Sequence, residues 1–255
     1  MDIKKRLFKI PELNTDSSLA GMDEQQLDQY VKKLNEFIDL YPENEKKLRA
    51  ALEKKDVDAI INTVKFFDKM LADIYAEDLS EECKKHVNNF KNISFERISA
   101  YVIYLLSTIA ALSIDIQVAI IVEEDKHAAD EKPVSTNAVK IILAVDDDSF
   151  CLDVLKNALT DVTCNVIGAT NGGTALNILR THKPDLFVLD IDMPGMDGLE
   201  LAEKLRNLGH KAPIVFITGN ADKGYVLKAI NAGGADFIVK PINPQNVVAR
   251  LKKFL

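Results

Sequence analysis

Five polar residues in the second half of the sequence stand at the ends of short apolar runs, and their types suit chemistry on phosphorus. Asp146 and Asp147 follow IILAV, Asp190 ends LFVLD, Thr218 ends PIVFIT, and Lys240 follows DFIV. Carboxylates brought close together raise one another's pKa unless a cation neutralises them. Because oxygen ligands together with a phosphate suit Mg²⁺, the three aspartates predict a Mg²⁺ site.

The reaction that uses the remaining groups is attack of a carboxylate on phosphorus, which gives an aspartyl phosphate. Asp190 is the predicted nucleophile, and Mg²⁺ would bridge it to Asp146 and Asp147. Lys240 and the Thr218 hydroxyl would bind the phosphoryl oxygens. Each residue alone has an ordinary explanation as a helix cap, a strand former or a solvated end. Capping alone does not explain why all five follow strands.

The second half of the sequence also predicts the scaffold that brings these strand ends together. From residue 140 to 255, short apolar runs alternate five times with amphipathic stretches, which indicates five β-α units in a doubly wound parallel sheet. The runs are apolar throughout, as in strands covered by helices on both faces. If the strand order is 2-1-3-4-5, strands one and three are neighbours, and Asp146, Asp147 and Asp190 converge at one edge.

The first half of the sequence predicts only helices. Asp23 and Gln26 favour a capping box at the start of a helix that Pro42 should end. A second helix, which carries Leu48 and Leu52, should begin at Pro42. Further helices are expected around Val57–Ile74, Leu79–Phe90 and Ile98–Val122. The predicted organisation is a helical bundle over residues 1–122, a polar linker over 123–139 and the α/β domain over 140–255.

Composition narrows the choice of partners and location. The formal net charge of −7 argues against a nucleic-acid partner, because binding to the phosphate backbone rests on clustered Lys and Arg. The three cysteines lack metal or redox spacing, and the N-terminus lacks a secretion signal, so we expect a cytoplasmic protein. The apolar segment from Tyr101 to Val122 is interrupted at Asp115 and Gln117, which favours a buried or dimer-forming helix over a membrane span.

Four segments of the second half closely resemble the motifs of bacterial response-regulator receiver domains: IILAVDDDSF, LFVLDIDMPGMDGLEL, PIVFITGN and GGADFIVKPI. The resemblance covers residues 140–255 and implies the flavodoxin-like fold. It implies Asp190 as the phospho-acceptor, Asp146 and Asp147 as the acidic pair, the Asp192 backbone carbonyl as a further metal ligand and a cis peptide bond between Lys240 and Pro241. It also implies a sensor histidine kinase or a phosphotransfer protein as the phosphoryl donor.

Three positions bear on how such a domain would switch and lose its phosphoryl group. Phe237 stands at the family's aromatic switch position, but it has no hydroxyl to bond Thr218. Asp192 and Asn220 stand at two positions that, in this family, face the attacking water and influence autodephosphorylation. From the sequence, the extra carboxylate of Asp192 could either position that water or repel it.

The helical half more weakly resembles histidine phosphotransfer domains. Asn62 stands where the phosphorylatable His would be, three residues before Lys65, and an amide cannot form a phosphoramidate. Phe66 replaces a small residue next to that lysine. The resemblance implies a phosphotransfer-like bundle without its reactive atom, and the alternative is an unrelated amphipathic helix with a polar face.

The leading interpretation is a phosphorylation-dependent switch of a two-component pathway that signals to a downstream protein and catalyses only its own phosphorylation and dephosphorylation. Because the sequence ends at Leu255 after the last predicted helix, no DNA-binding output domain is expected. One alternative is a phosphorelay protein whose bundle carries a phosphoryl group on His86. Another is an adaptor that dimerises or attaches to a membrane through the apolar segment.

Overall fold

The computed structural model describes residues 3–13, 19–121 and 139–255. The chain divides into two compact units between residues 126 and 127, and each is described here by itself. Except for Val139, the linker predicted for residues 123–139 lies outside the described residues.

The first unit is helical, as predicted. Its helices are α1 (Ile3–Leu7), α2 (Glu24–Glu53), α3 (Val57–Asp73), α4 (Glu77–Val87) and α5 (Phe95–Ile121), with a 3₁₀ turn at Phe90–Asn92. Helix α2 packs on α3 and α5, and α3 packs on α4. Apolar residues at helical spacing therefore meet in a shared core.

Helix α2 confirms one expectation and corrects another. The capping box is present, because Gln26 N donates to Asp23 Oδ1 at 2.8 Å and Asp23 N donates to Gln26 Oε1 at 2.9 Å. The prediction that Pro42 ends the helix is wrong, since α2 continues through it to Glu53. Tyr41 and Leu48, on either side of the proline, are fully buried. Burial of both halves outweighs the backbone hydrogen bond that the proline cannot make.

Within the described residues, α5 is long and apolar enough to cross a membrane by length and composition. Of its most apolar stretch, 61% is buried inside the structure, and the core helix of a soluble protein passes the same test. Leu105, Ile109 and Leu112 are fully buried, so this helix supplies much of the bundle core.

The second unit is a five-stranded parallel sheet with helices between the strands, which confirms the predicted fold class. Its strands are β1 (Lys140–Val145), β2 (Cys164–Ala169), β3 (Leu186–Asp190), β4 (Ile214–Thr218) and β5 (Gly234–Val239). Its helices are α6 (Ser149–Ala158), α7 (Gly172–Ile178), α8 (Gly198–Asn207), α9 (Lys223–Asn231) and α10 (Pro244–Leu251), followed by a 3₁₀ turn at Lys252–Phe254. The strand order is 2-1-3-4-5, as expected.

The register of the sheet sets the position of the strand ends. Val145 pairs with Leu189 between β1 and β3, and Asp190 pairs with Ile217 between β3 and β4. Strands β1, β3 and β4 therefore end at the same edge, where crossover connections begin. Every residue of β3 and β4 is buried, so this edge rests on a rigid core.

Side-chain caps begin all five helices of this unit. The capping residues are Asp148, Asn171, Asp197, Asp222 and Asn243, each of which accepts a backbone N–H of the following turn. Three of these caps, Asp148, Asp197 and Asp222, are aspartates at the carboxyl edge of the sheet. Other aspartates at this edge cap no helix, and they include Asp146, Asp147 and Asp190.

Candidate functional site

Three carboxylates meet where β1 and β3 end. One ligand oxygen from each of Asp146, Asp147 and Asp190 lies within 4.8 Å of the other two. Asp146 and Asp190 are buried, with 0% and 1% of their surface exposed, whereas Asp147 is exposed. The site is therefore a closed acidic floor with one carboxylate at its mouth.

Lys240, which follows β5, supplies the positive charge at this floor. Its Nζ lies 2.8 Å from Asp190 Oδ2 and 3.0 Å from Asp146 Oδ2. The backbone of Lys240 is fixed by donation from its N–H to Thr218 O at 2.8 Å. The Lys240–Pro241 peptide bond is cis, as the family resemblance implies. One ammonium group thus partly neutralises two buried carboxylates.

The charges of this floor shift the pKa values of its groups. Burial raises the pKa of Asp190, and the charge of Asp146 raises it further, against the lowering effect of Lys240. Burial lowers the pKa of Lys240, but the hydrogen bonds and charges of Asp190 and Asp146 outweigh burial and raise it overall. Lys240 therefore stays protonated, and the pocket retains an excess of negative charge that favours a cation.

A thiol beside the site does not compete as a nucleophile. Cys151 Sγ lies 3.6 Å from Asp148 Oδ2. Burial and the charge of Asp146 raise the pKa of Cys151 to about 11. The thiol is protonated at neutral pH, so the carboxylates are the nucleophilic groups of this pocket.

The end of β4 places Thr218 and Asn220 in a tight turn. Thr218 is 1% exposed, and its hydroxyl donates to Asn220 O at 3.0 Å and accepts from Asn220 N at 2.9 Å. The side chain of Asn220 accepts the N–H of Asp222 at 2.8 Å, so its oxygen is used within the turn. The sequence predicted a tuning role for Asn220 but gave no sign of this local bond.

The start of α8 comes very close to the backbone of Asp190. A Cβ placed on Gly198 would overlap the carbonyl oxygen of Asp190, and Gly198 N donates to Ile191 O at 3.0 Å. The helix can approach the end of β3 this closely because residue 198 has no side chain. Gly198 therefore helps to fix the position of Asp190.

Tyr225, in the first turn of α9, is a site residue that the sequence did not reveal. Its hydroxyl donates to Asp192 Oδ1 at 3.3 Å. Asp192 N lies 3.4 Å from Asp190 Oδ1, which places Asp192 directly against the predicted acceptor. The partners Tyr225 and Asp192 are 33 residues apart and belong to no shared motif, so only the fold reveals the contact.

Phe237 lies on β5, the edge strand that pairs with β4. It is 3% exposed, and its ring centroid lies 6.3 Å from that of Phe216. The preceding Asp236 is buried and pairs with Arg250 at 2.7 Å and with Lys253 at 2.6 Å. The ring predicted to act as a switch therefore occupies an inward position, beside a charge cluster that holds the C-terminal helix.

In the helical unit, Asn62 and Lys65 lie exposed on α3, on the face predicted to be polar. His86 is on α4, where its ring stacks on Tyr101 with 3.8 Å between centroids. Its Nε2 lies 4.0 Å from Glu82 Oε1. The histidine of the alternative phosphorelay interpretation is thus packed against an aromatic ring on one side.

The donor set at the acidic floor fits a hard divalent cation. All three candidate ligands are carboxylate oxygens, two of them are buried, and Lys240 compensates only part of their mutual repulsion. Hard cations such as Mg²⁺ prefer one or two carboxylates together with water and phosphate oxygens. The arrangement can therefore hold such an ion next to Asp190.

Comparison with known proteins identifies a family for the second unit. A family model described as the response regulator receiver domain matches residues 142–252. Chemotaxis protein CheY of Thermotoga maritima is 37% identical over 115 residues, which are 45% of this chain and 96% of that protein. Two-component response regulator ARR12 of Arabidopsis thaliana is 36% identical over 123 residues, which are 48% of this chain and 20% of that protein.

Among solved structures, chemotaxis protein CheY4 of Vibrio cholerae shares 27% identity, with a TM-score of 0.44, over 46% of this chain and 100% of that chain. The parallel sheet of order 2-1-3-4-5, with an acidic floor at its carboxyl edge, defines a doubly wound α/β domain with a candidate ligand site at that edge. The chain belongs to the response-regulator family, and residues 142–252 are its receiver domain.

Proposed function

We propose that the receiver domain accepts a phosphoryl group on Asp190 in the presence of Mg²⁺ and signals through protein contacts. The observation that carries this proposal is the contact of Lys240 Nζ with both Asp190 and Asp146, at 2.8 and 3.0 Å. This geometry leaves a buried carboxylate next to a protonated lysine and two further carboxylates. Those are the groups needed to bring a dianionic phosphoryl group to an acidic nucleophile.

In the proposed reaction, a carboxylate oxygen of Asp190 attacks the phosphorus of a phosphorylated donor. A bond forms between that oxygen and phosphorus, and the bond from phosphorus to the donor breaks, with its electron pair leaving on the donor. Lys240 compensates the negative charge of the transferred oxygens, and the Thr218 hydroxyl can donate to one of them after it leaves Asn220 O. Mg²⁺ held by Asp146, Asp147, Asp190 and the Asp192 carbonyl would add further charge compensation.

Receiver domains take their phosphoryl group from a histidine kinase or another phosphodonor, and we propose such a donor for this chain. Asp147 and Asp192 are exposed at the mouth of the site, so a donor can approach from the carboxyl edge of the sheet. The remaining proposals follow from the same assignment. The domain acts as a cytoplasmic switch, and its catalysis is limited to its own phosphorylation and dephosphorylation.

For the helical unit, we propose a role in protein contacts. Asn62 and Lys65 are exposed on the face that resembles a phosphotransfer surface, and Asn62 has no reactive nitrogen. His86 is stacked on Tyr101, so the packing gives no support to a phosphorelay role. The proposed role of this unit is therefore to bind another protein, without carrying a phosphoryl group itself.

The test is the intact mass of the full chain after incubation with acetyl phosphate and Mg²⁺. Wild type is expected to gain one phosphoryl group, and Asp190→Asn is expected to gain none. The matched control is Asp161→Asn, because Asp161 is an exposed carboxylate in the α6–β2 turn. The control should behave as wild type, and EDTA should abolish the gain in both. An equal gain in Asp190→Asn, or no gain in any sample, would contradict the proposal.

A further inference from the structure

Two residues from different loops meet at the mouth of the acceptor site. Asp192 comes from the β3–α8 connection, and Tyr225 comes from the first turn of α9. The Tyr225 hydroxyl donates to Asp192 Oδ1 at 3.3 Å. The bond ties the connection that lies beside Asp190 to the first turn of α9.

The position of Asp192 relative to the acceptor is fixed by its backbone. Its N–H points to Asp190 Oδ1 at 3.4 Å, so its side chain starts directly beside the carboxylate predicted to carry the phosphoryl group. Asp192 is exposed, so water reaches it. Among the described residues, Tyr225 is the one side chain seen to donate to this carboxylate, and it occupies one of the two oxygens.

Asn220 does not take this part in the present structure. Its side-chain oxygen accepts the N–H of Asp222 at 2.8 Å, and its backbone is bonded on both sides to the Thr218 hydroxyl. The segment that follows β4 therefore reaches Asp192 through Tyr225, which lies further along the chain. Lys228 lies on the same side of α9 as Tyr225, with its Nζ 5.8 Å from the ring centroid. A cation–π contact of this kind favours the observed position of the ring.

We propose that Tyr225 is a positioning residue for hydrolysis of the aspartyl phosphate, because it holds Asp192 so that the second carboxylate oxygen aligns the attacking water. This inference rests on the proposed function. In the step, the water oxygen forms a bond to phosphorus while the bond from phosphorus to the Asp190 oxygen breaks. The electron pair returns to the Asp190 carboxylate, and the water's protons are shared between inorganic phosphate and solvent. Asp192 accepts a hydrogen bond from the water throughout.

A hydrogen bond that fixes one side chain reduces the freedom that the reacting group must lose in the transition state. Removal of the Tyr225 hydroxyl leaves Asp192 in place but free to turn. The expected result is slower hydrolysis of the phosphoryl group from protein that has already been loaded. The effect should act entirely through Asp192, which separates positioning from a general structural role.

The experiment compares four full-length proteins: wild type, Tyr225→Phe, Asp192→Ala and the double variant. Each is loaded with ³²P from labelled acetyl phosphate and Mg²⁺, freed of donor, and followed for loss of label. We expect Tyr225→Phe to retain label three to ten times longer than wild type. Asp192→Ala should retain it at least as long, and the second substitution should add no further delay. Tyr104→Phe, an exposed tyrosine of the helical unit, is the matched control and should behave as wild type.

Several results would overturn the inference. They are an unchanged or faster loss of label in Tyr225→Phe, or the same fold-slowing when Tyr225→Phe is added to Asp192→Ala. In either case the uptake of label would still stand, so the proposed function would survive. Absence of label in wild type would instead overturn the proposed function and this inference together.

Discussion

Asp190 illustrates how burial gives a residue its chemistry. The side chain is 1% exposed and shares Lys240 with the equally buried Asp146. One lysine compensates only part of the charge of two carboxylates, so the pocket is under electrostatic strain when no cation is bound. The same strain favours binding of a divalent cation beside Asp190.

This strain predicts a pH-dependent gain in stability for Asp190→Asn. Burial raises the pKa of Asp190, so the native state holds this proton more tightly than the unfolded state does. Protonated Asp190 therefore stabilises the native state fully below the ordinary carboxyl pKa of about 4, and this stabilisation is lost as pH rises through the raised pKa. In EDTA at pH 7, the variant should therefore unfold about 2–4 °C above wild type, the shift that about 1 kcal/mol produces at this chain length.

Thermal unfolding followed by circular dichroism checks this prediction. The difference between variant and wild type should shrink as the pH falls toward 4. Mg²⁺ should then raise the midpoint of wild type more than that of the variant, because the ion binds the native site. A variant that is less stable than wild type at pH 7, or a gap that widens in acid, would show that Asp190 is not strained.

The residue scale also marks where sequence reasoning stops. Asp146, Asp190 and Lys240 were predicted together because each residue type stands at a strand end, and strand ends are visible as apolar runs. Tyr225 was missed because its partner Asp192 lies in another loop, and a tyrosine in the first turn of a helix has no distinctive pattern. Contacts between loops depend on side-chain directions that a single sequence does not encode locally.

At the scale of elements, α8 matters because its first residue touches the acceptor strand. A methyl group at Gly198 would overlap the carbonyl oxygen of Asp190. Gly198→Ala must therefore push α8 away from β3 or move Asp190 itself. We expect a loss of about 1–3 kcal/mol in the free energy of unfolding, as for overpacked sites, and slower phosphoryl uptake.

Urea unfolding and the rate of mass gain with acetyl phosphate measure both effects. Gly21→Ala is the matched control, since a methyl group there has no heavy atom within 4 Å. The control should keep the stability and uptake rate of wild type. If Gly198→Ala were as stable and as fast as wild type, the close packing of α8 on Asp190 would have no role in the site.

Pro42 shows at the same scale why an element boundary was predicted wrongly. Local sequence favours a break there, since proline lacks the N–H that a helix interior uses. Helix α2 nevertheless runs from Glu24 to Glu53, with Tyr41 and Leu48 buried on either side of the proline. Packing against the rest of the bundle decided the outcome, and that packing is not visible in a short window of sequence.

At the scale of the whole molecule, the two units differ in how much of their function the sequence predicts. The receiver domain combines a parallel sheet with chemistry fixed to its edge, so fold and site could be read together from apolar runs and their terminal residues. The helical unit has a regular core, and Asn62 and Lys65 lie exposed on α3. The protein contacts proposed for this face would depend on a partner whose identity the sequence does not specify.

The central claim is that Asp190 carries the phosphoryl group, and chemical mapping of the modified residue tests it most directly. Wild type loaded from acetyl phosphate and Mg²⁺ is treated with sodium borohydride, which reduces an aspartyl phosphate to homoserine, and is then digested for tandem mass spectrometry. Homoserine is predicted at position 190, and Asp190→Asn should show none. Homoserine at position 146, 147 or 192, or homoserine at any position in Asp190→Asn, would contradict the assignment.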